Sequence, residues 1–158
     1  MPFELRPEPT PTLRPEGDYL QKAWARSVYP LAELLGVRIR MPKVSPQPHT
    51  HLAWEGFQFA REHGRGGEYN HRVLTGFFVD GRDIGSPDVL AELAADAGLD
   101  PAAFRQALDA RRYREAHQQA LRQAYATGIT GVPAFEIGGR RVVGLQTRDT
   151  LERALAQG

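Results

Sequence analysis

Two histidines, His49 and His51, stand two residues apart after a proline-rich loop, a spacing that metal sites use. A complete site would need further ligands from His63, His71, His117 or a carboxylate. Sequence spacing brings none of these near, so the pair reads better as the start of a helix, and no metal ligands are assigned. His117 falls on the apolar stripe of the longest candidate helix, where an imidazole bonded to a backbone carbonyl is expected rather than a catalyst. Arg111, Arg112, Arg114 and Arg122 form a basic run diluted by Glu115, Gln118, Gln119 and Gln123, which reads as a solvated helix face. No Ser-His-Asp arrangement, phosphate-cradling glycine loop or paired-carboxylate motif stands out. The pattern therefore assigns no catalytic residue and no cofactor.

The cysteine count is zero. Nucleophilic thiol catalysis, disulfides within the chain and Cys-ligated zinc all need a sulfur that these 158 residues do not supply. Twenty basic against nineteen acidic residues leave a formal charge of +1, which disfavours nucleic acid as a partner. No apolar stretch approaches the roughly 18 residues needed to span a bilayer, and residues 1–7 lack the basic and apolar regions of a signal peptide. The expectation is a cytoplasmic protein with no membrane partner.

One stretch is specific. Gly128-Ile129-Thr130-Gly131-Val132-Pro133 leads into an apolar run, Ala134–Ile137, which passes through Gly138-Gly139 into a second run at Val142-Val143. That is a strand, a tight turn and a strand, with a proline at the mouth of the first because it cannot donate within a ladder. Elsewhere the elements are simpler. Phe3 and Leu5 alternate with Glu4 and Arg6, which suits a short strand. Five of the twelve prolines fall in the first fifteen residues, so residues 7–15 are extended or turning. Apolar residues at helical spacing from Tyr19 to Leu35 predict two short helices or one kinked at Pro30. Further helices are expected over 51–63, around Tyr69–Phe78, from Ser86-Pro87, from Asp100-Pro101, over Tyr113–Tyr125, and after Thr147 or Asp149. The fold class is α/β, a helical block inserted between strands.

These residues resemble a known family. Gly128–Phe135 together with Val142-Val143-Gly144-Leu145-Gln146 is similar to the C-terminal end of the DsbA-like thioredoxin-fold oxidoreductases, nearest the FrnE-like branch, which is related to the 2-hydroxychromene-2-carboxylate isomerases. Pro48-His49-Thr50-His51-Leu52-Ala53, Phe59–Gly64, and Gly81–Gly85 running to Gly98-Leu99-Asp100 resemble that branch's helical insertion. Phe3-Glu4-Leu5 resembles its second core strand. His49 departs from the pattern, where the family commonly has Asn. The resemblance implies a single thioredoxin-like domain over 1–158, with 1–16 and 128–158 as an incomplete core and 17–127 as helical insertion and connecting helix.

It also implies that Val132-Pro133 is a cis peptide and that Gly131, Val132 and Pro133 form the substrate-binding loop, the backbone of Val132 pairing with an incoming polypeptide. The family's Cys-x-x-Cys lies at the start of the first helix, after the first strand, and both elements precede anything in this sequence. The expectation is an N-terminally truncated member, redox-inactive by itself. A stretch of sequence upstream of Met1, a strand from another chain as in a homodimer, or direct closure of the flanking strands would each fill the gap. The alternatives are a non-catalytic polypeptide-binding module, or a glutathione-dependent isomerase whose active serine lies upstream of Met1.

Overall fold

A computed structural model of the chain describes residues 2–157. They divide into two compact units, Arg6–Gln118 and the two terminal segments Met1–Leu5 and Gln119–Gly158.

The first unit is helical. Its elements are α1 (Asp18–Ala23), a π turn (Trp24–Val28), α2 (Tyr29–Leu34), α3 (His51–Glu62), α4 (Gly66–Phe78), α5 (Pro87–Asp96) and α6 (Pro101–Asp109), and it contains the start of α7 (Arg114–Ala126). Its core gathers one apolar stripe from each of α3 to α6: Phe59 and Ala60, Tyr69 and Val73, Leu90 and Leu93, Phe104 and Leu108. Each fully buried large side chain contributes about 1.5–3 kcal/mol. The stripes are fixed in phase by local signals. Ser86 accepts a hydrogen bond from the Val89 N–H with Pro87 at the first helical position, and Asp100 accepts from the N–H groups of Ala102 and Ala103 at 2.8 and 3.0 Å with Pro101 behind it.

The second unit contains the end of α7, the hairpin β1 (Ala134–Ile137) and β2 (Arg140–Val143), and α8 (Arg148–Ala156). The strands are antiparallel and pair Ala134 with Val143, Phe135 with Val142, Glu136 with Arg141 and Ile137 with Arg140. Gly138 and Gly139 carry φ values of 55° and 74°, the left-handed pair that a two-residue hairpin turn requires. Thr147 caps α8 by accepting from the Thr150 N–H.

Four sequence expectations are corrected. Residues 3–6 form no strand, and the alternation has the opposite sense, since Glu4 is buried and Leu5 exposed. A strand is defined by a hydrogen-bonded neighbour, and the one ladder among the described residues joins β1 to β2. Two short helices do form across Tyr19–Leu35, but the interruption between them is the π turn Trp24–Val28 and not Pro30 itself. The preceding π turn, in which the Tyr29 N–H donates to the Trp24 carbonyl five residues back, frees the proline from a hydrogen-bonding duty it cannot perform. The extra residue rotates the face of α2 by about 100° relative to α1. Leu20 and Trp24 are therefore buried, while Leu31, Leu34 and Leu35, in phase with them by sequence, face outward. The helix expected around Tyr69–Phe78 starts three residues earlier, because Gly66-Gly67 open α4. Arg111 is not on a solvated helix face, for it sits in the turn after α6 at φ 50° and pairs with Glu55.

Tyr69 carries an unsatisfied polar group into the core. The Tyr69 hydroxyl is buried with no hydrogen-bond partner among the described residues, and burial pushes its pKa well up. An unfolded tyrosine ionises near pH 10, so the folded state keeps a proton that the unfolded chain gives up. The associated stability is present below about pH 10 and is lost as pH rises beyond it, at up to about 1.4 kcal/mol per pH unit. Tyr69→Phe is expected to leave stability at pH 7 unchanged or raised by up to about 1 kcal/mol, since no hydrogen bond is lost. It should also flatten the alkaline limb, measured by urea denaturation at pH 7 and pH 11. A variant that weakens the protein at pH 7 by more than about 1 kcal/mol would show that the hydroxyl is bonded after all.

Candidate functional site

The loop that enters β1 is built by the end of α7. There the Gly128 N–H donates to the Tyr125 carbonyl at 2.8 Å and the Ile129 N–H to the Ala124 carbonyl at 3.0 Å, a paired arrangement that satisfies the last helical carbonyls and turns the chain out of the helix. Tyr125 is tied back, its ring meeting Phe3 edge-on at 5.4 Å and its hydroxyl donating to the Glu4 carbonyl at 3.4 Å. The far side of the loop is fixed by β2, because the Gly144 N–H donates to the Pro133 carbonyl at 2.8 Å. Across the hairpin Arg141 lies 3.5 Å from Glu136.

Gly131, Val132 and Pro133 are thus anchored on both sides and turned outward. Gly131 is half-buried, Val132 is 52% exposed and Pro133 is exposed. The Val132–Pro133 peptide bond is cis, as are Glu8–Pro9 and Ser45–Pro46. Neither the N–H nor the carbonyl of Val132 has a backbone partner among the described residues. Beyond this residue, β1 has β2 on one side and no strand on the other among the described residues. An unpaired backbone donor and acceptor on an exposed residue next to an open strand edge can hydrogen-bond an extended chain. With no cysteine in the 158 residues, the loop itself brings no thiol.

The other singled-out residues lie in the helical unit. His51 is the first residue of α3, with its Nδ1 3.9 Å from a Glu8 carboxylate oxygen, and His49 Nδ1 lies 3.2 Å from the Arg6 carbonyl. No group of three or more metal-ligating side chains forms among the described residues. His117 is buried. Arg112 lies 3.7 Å from Glu62, which also accepts a hydrogen bond from the Tyr113 hydroxyl. Burial and that carboxylate together push the Tyr113 pKa up. The residue that spacing misses is Glu55, a buried carboxylate in the middle of α3. Its one signal is an acid placed among the apolar positions Ala53, Phe59 and Ala60.

Among solved structures, the fold is shared with a probable DsbA oxidoreductase from Streptomyces coelicolor at a TM-score of 0.75 and 27% identity, covering 87% of this chain and 61% of that one. A putative protein disulfide isomerase from Nitrosomonas europaea gives 0.75 at 17% identity, covering 89% and 74%. A 2-hydroxychromene-2-carboxylate isomerase gives 0.71 at 21%, covering 89% and 66%. The chain thus spans less than two thirds of the Streptomyces protein it matches. By sequence it is 48% identical over 158 residues to the uncharacterized protein YwbO of Bacillus subtilis, covering 99% of this chain and 79% of that protein. The model of the DSBA-like thioredoxin domain matches residues 1–156, and with that match and the close Bacillus relative, the chain belongs to the DSBA-like thioredoxin family.

Proposed function

We propose that this chain is the polypeptide-holding part of a thiol–disulfide oxidoreductase of the FrnE-like branch, with Gly131, Val132 and Pro133 as its substrate-binding residues and no redox turnover of its own. The observation that carries this reading is Val132, an exposed residue of an anchored loop whose backbone donor and acceptor have no backbone partner among the described residues. An extended substrate strand pairs there through its main chain, so the site is tolerant of sequence. A disulfide exchange needs an attacking thiolate, and that must come from another molecule or from residues outside these 158.

Two measurements test the proposal. In an insulin-reduction assay with dithiothreitol, the 158-residue chain is expected to match the rate without protein, and catalytic turnover with no added protein thiol would refute the redox assignment. Titration with a reduced, carboxymethylated unfolded polypeptide should shift the amide resonances of residues 131–134 most. Shifts centred elsewhere, or none at millimolar polypeptide, would remove the binding assignment.

A further inference from the structure

Between α3 and α4 lies a cavity of about 140 Å³, lined wholly by residues of the helical unit. Ala53, Trp54 and Phe57 of α3 and Val73, Leu74 and Phe77 of α4 supply most of its wall. The aromatic members brace one another instead of collapsing inward: Trp54 meets Phe57 edge-on at 5.7 Å, and Phe77 meets Phe78 at 4.9 Å and 69°. Ala53 and Val73 are the small members of the lining, and they leave the room.

Size, charge and polarity narrow the occupant. An apolar cavity of about 150 Å³ takes one benzene ring and stays dry without it. No lining residue is charged, so an ionised ligand would give up its hydration with nothing to replace it. The polar groups of the lining are the side chains of Thr50, Tyr69 and Asn70 and the indole N–H of Trp54. Asn70 is half-buried, and its amide can both donate to and accept from a hydroxyl. Apolar walls with a few polar groups are the ordinary composition of a small-molecule site.

We propose that this cavity binds an uncharged single-ring aromatic molecule bearing one hydroxyl, the ring held between the α3 and α4 aromatics and the hydroxyl on Asn70. Its lining shares no residue with the loop at Val132.

Trp54 is a built-in reporter, and the only other tryptophan, Trp24, lies outside the lining. The Trp24→Phe chain is titrated at pH 7 with phenol, benzene and benzoate while Trp54 emission is followed. The same titrations of the unsubstituted chain, read by amide shifts in α3 and α4, give the decision without any substitution. Phenol is expected to saturate, benzene to bind about tenfold more weakly for want of the hydrogen bond, and benzoate not to saturate. Asn70→Ala should bring phenol down to the affinity of benzene. Ala53→Leu and, separately, Val73→Phe should abolish both. Failure of phenol and benzene to saturate overturns the proposal, as does binding that survives both cavity-filling substitutions. Benzoate binding as tightly as phenol overturns the neutral specification, and an unchanged phenol affinity in Asn70→Ala overturns the role of that amide.

Discussion

Arg111→Ala is expected to destabilise the protein by about 3–5 kcal/mol in urea denaturation at pH 7. Arg111 Nε donates to both Glu55 oxygens at 3.0 and 3.2 Å and its Nη2 to one of them at 2.7 Å. Glu55 is only 1% exposed. Removing the guanidinium therefore strands a carboxylate that water cannot reach, which costs far more than the net worth of an intact pair. The bond to Glu55 also holds the Arg111 guanidinium above its usual pKa. The backbone separates two contributions, because Arg111 sits at φ 50°, a region that costs a residue with a Cβ about 1–2 kcal/mol and glycine nothing. Arg111→Gly loses the same pair but relieves that strain, so it should be about 1 kcal/mol less damaging than Arg111→Ala. Glu55→Gln, which keeps the shape and one acceptor without the buried charge, should be the mildest of the three. An Arg111→Ala variant within about 1 kcal/mol of the parent would mean that the carboxylate is hydrated rather than stranded.

That pair also marks the boundary of what the sequence discloses. Ser86-Pro87, Asp100-Pro101 and Thr147 can be read as helix starts because a cap and its recipient N–H lie two or three residues apart. Gly138-Gly139 is readable for the same reason, as a turn made within four residues. Glu55 and Arg111 are 56 residues apart, and nothing local distinguishes this arginine from Arg112 or Arg114 beside it. Leu31, Leu34 and Leu35 continue the stripe of Leu20 and Trp24 in an unbroken α-helix, and only the π turn sets them outward. The pattern at Phe3-Glu4-Leu5 is that of a strand, but a strand also needs a neighbour, which a local alternation does not provide. At the loop, residue types place Pro133 at the mouth of β1, whereas the choice of Gly131, Val132 and Pro133 as a site comes from the family resemblance. The cavity between α3 and α4 depends on the distance between two helices and leaves no mark in either one alone.

Gly56→Ala is expected to destabilise by about 2 kcal/mol, although alanine is the better helix former by about 1 kcal/mol. Gly56 lies inside α3 where a Cβ would come within 2.5 Å of both Phe104 Cζ and the Tyr69 hydroxyl oxygen. Phe104 and Tyr69 are 0% and 1% exposed, their rings 5.3 Å apart, so neither can swing into solvent to make room. The added methyl must be absorbed by off-rotamer rings or by a shift of α3 from α4, and overpacking of this kind costs about 1–3 kcal/mol. Gly67→Ala is the control, because a Cβ there meets nothing within 4 Å, and it should be neutral or stabilising by up to about 1 kcal/mol. The two blocking groups can be separated. Tyr69→Phe removes the hydroxyl oxygen and leaves Phe104 in place, so Gly56→Ala should cost less in the Tyr69→Phe background than in the parent, with a coupling of about 0.5–1 kcal/mol in a double-mutant cycle. Additive effects would mean that Phe104 alone sets how closely α3 approaches the core, and a stabilising Gly56→Ala would mean that the helices part at no cost.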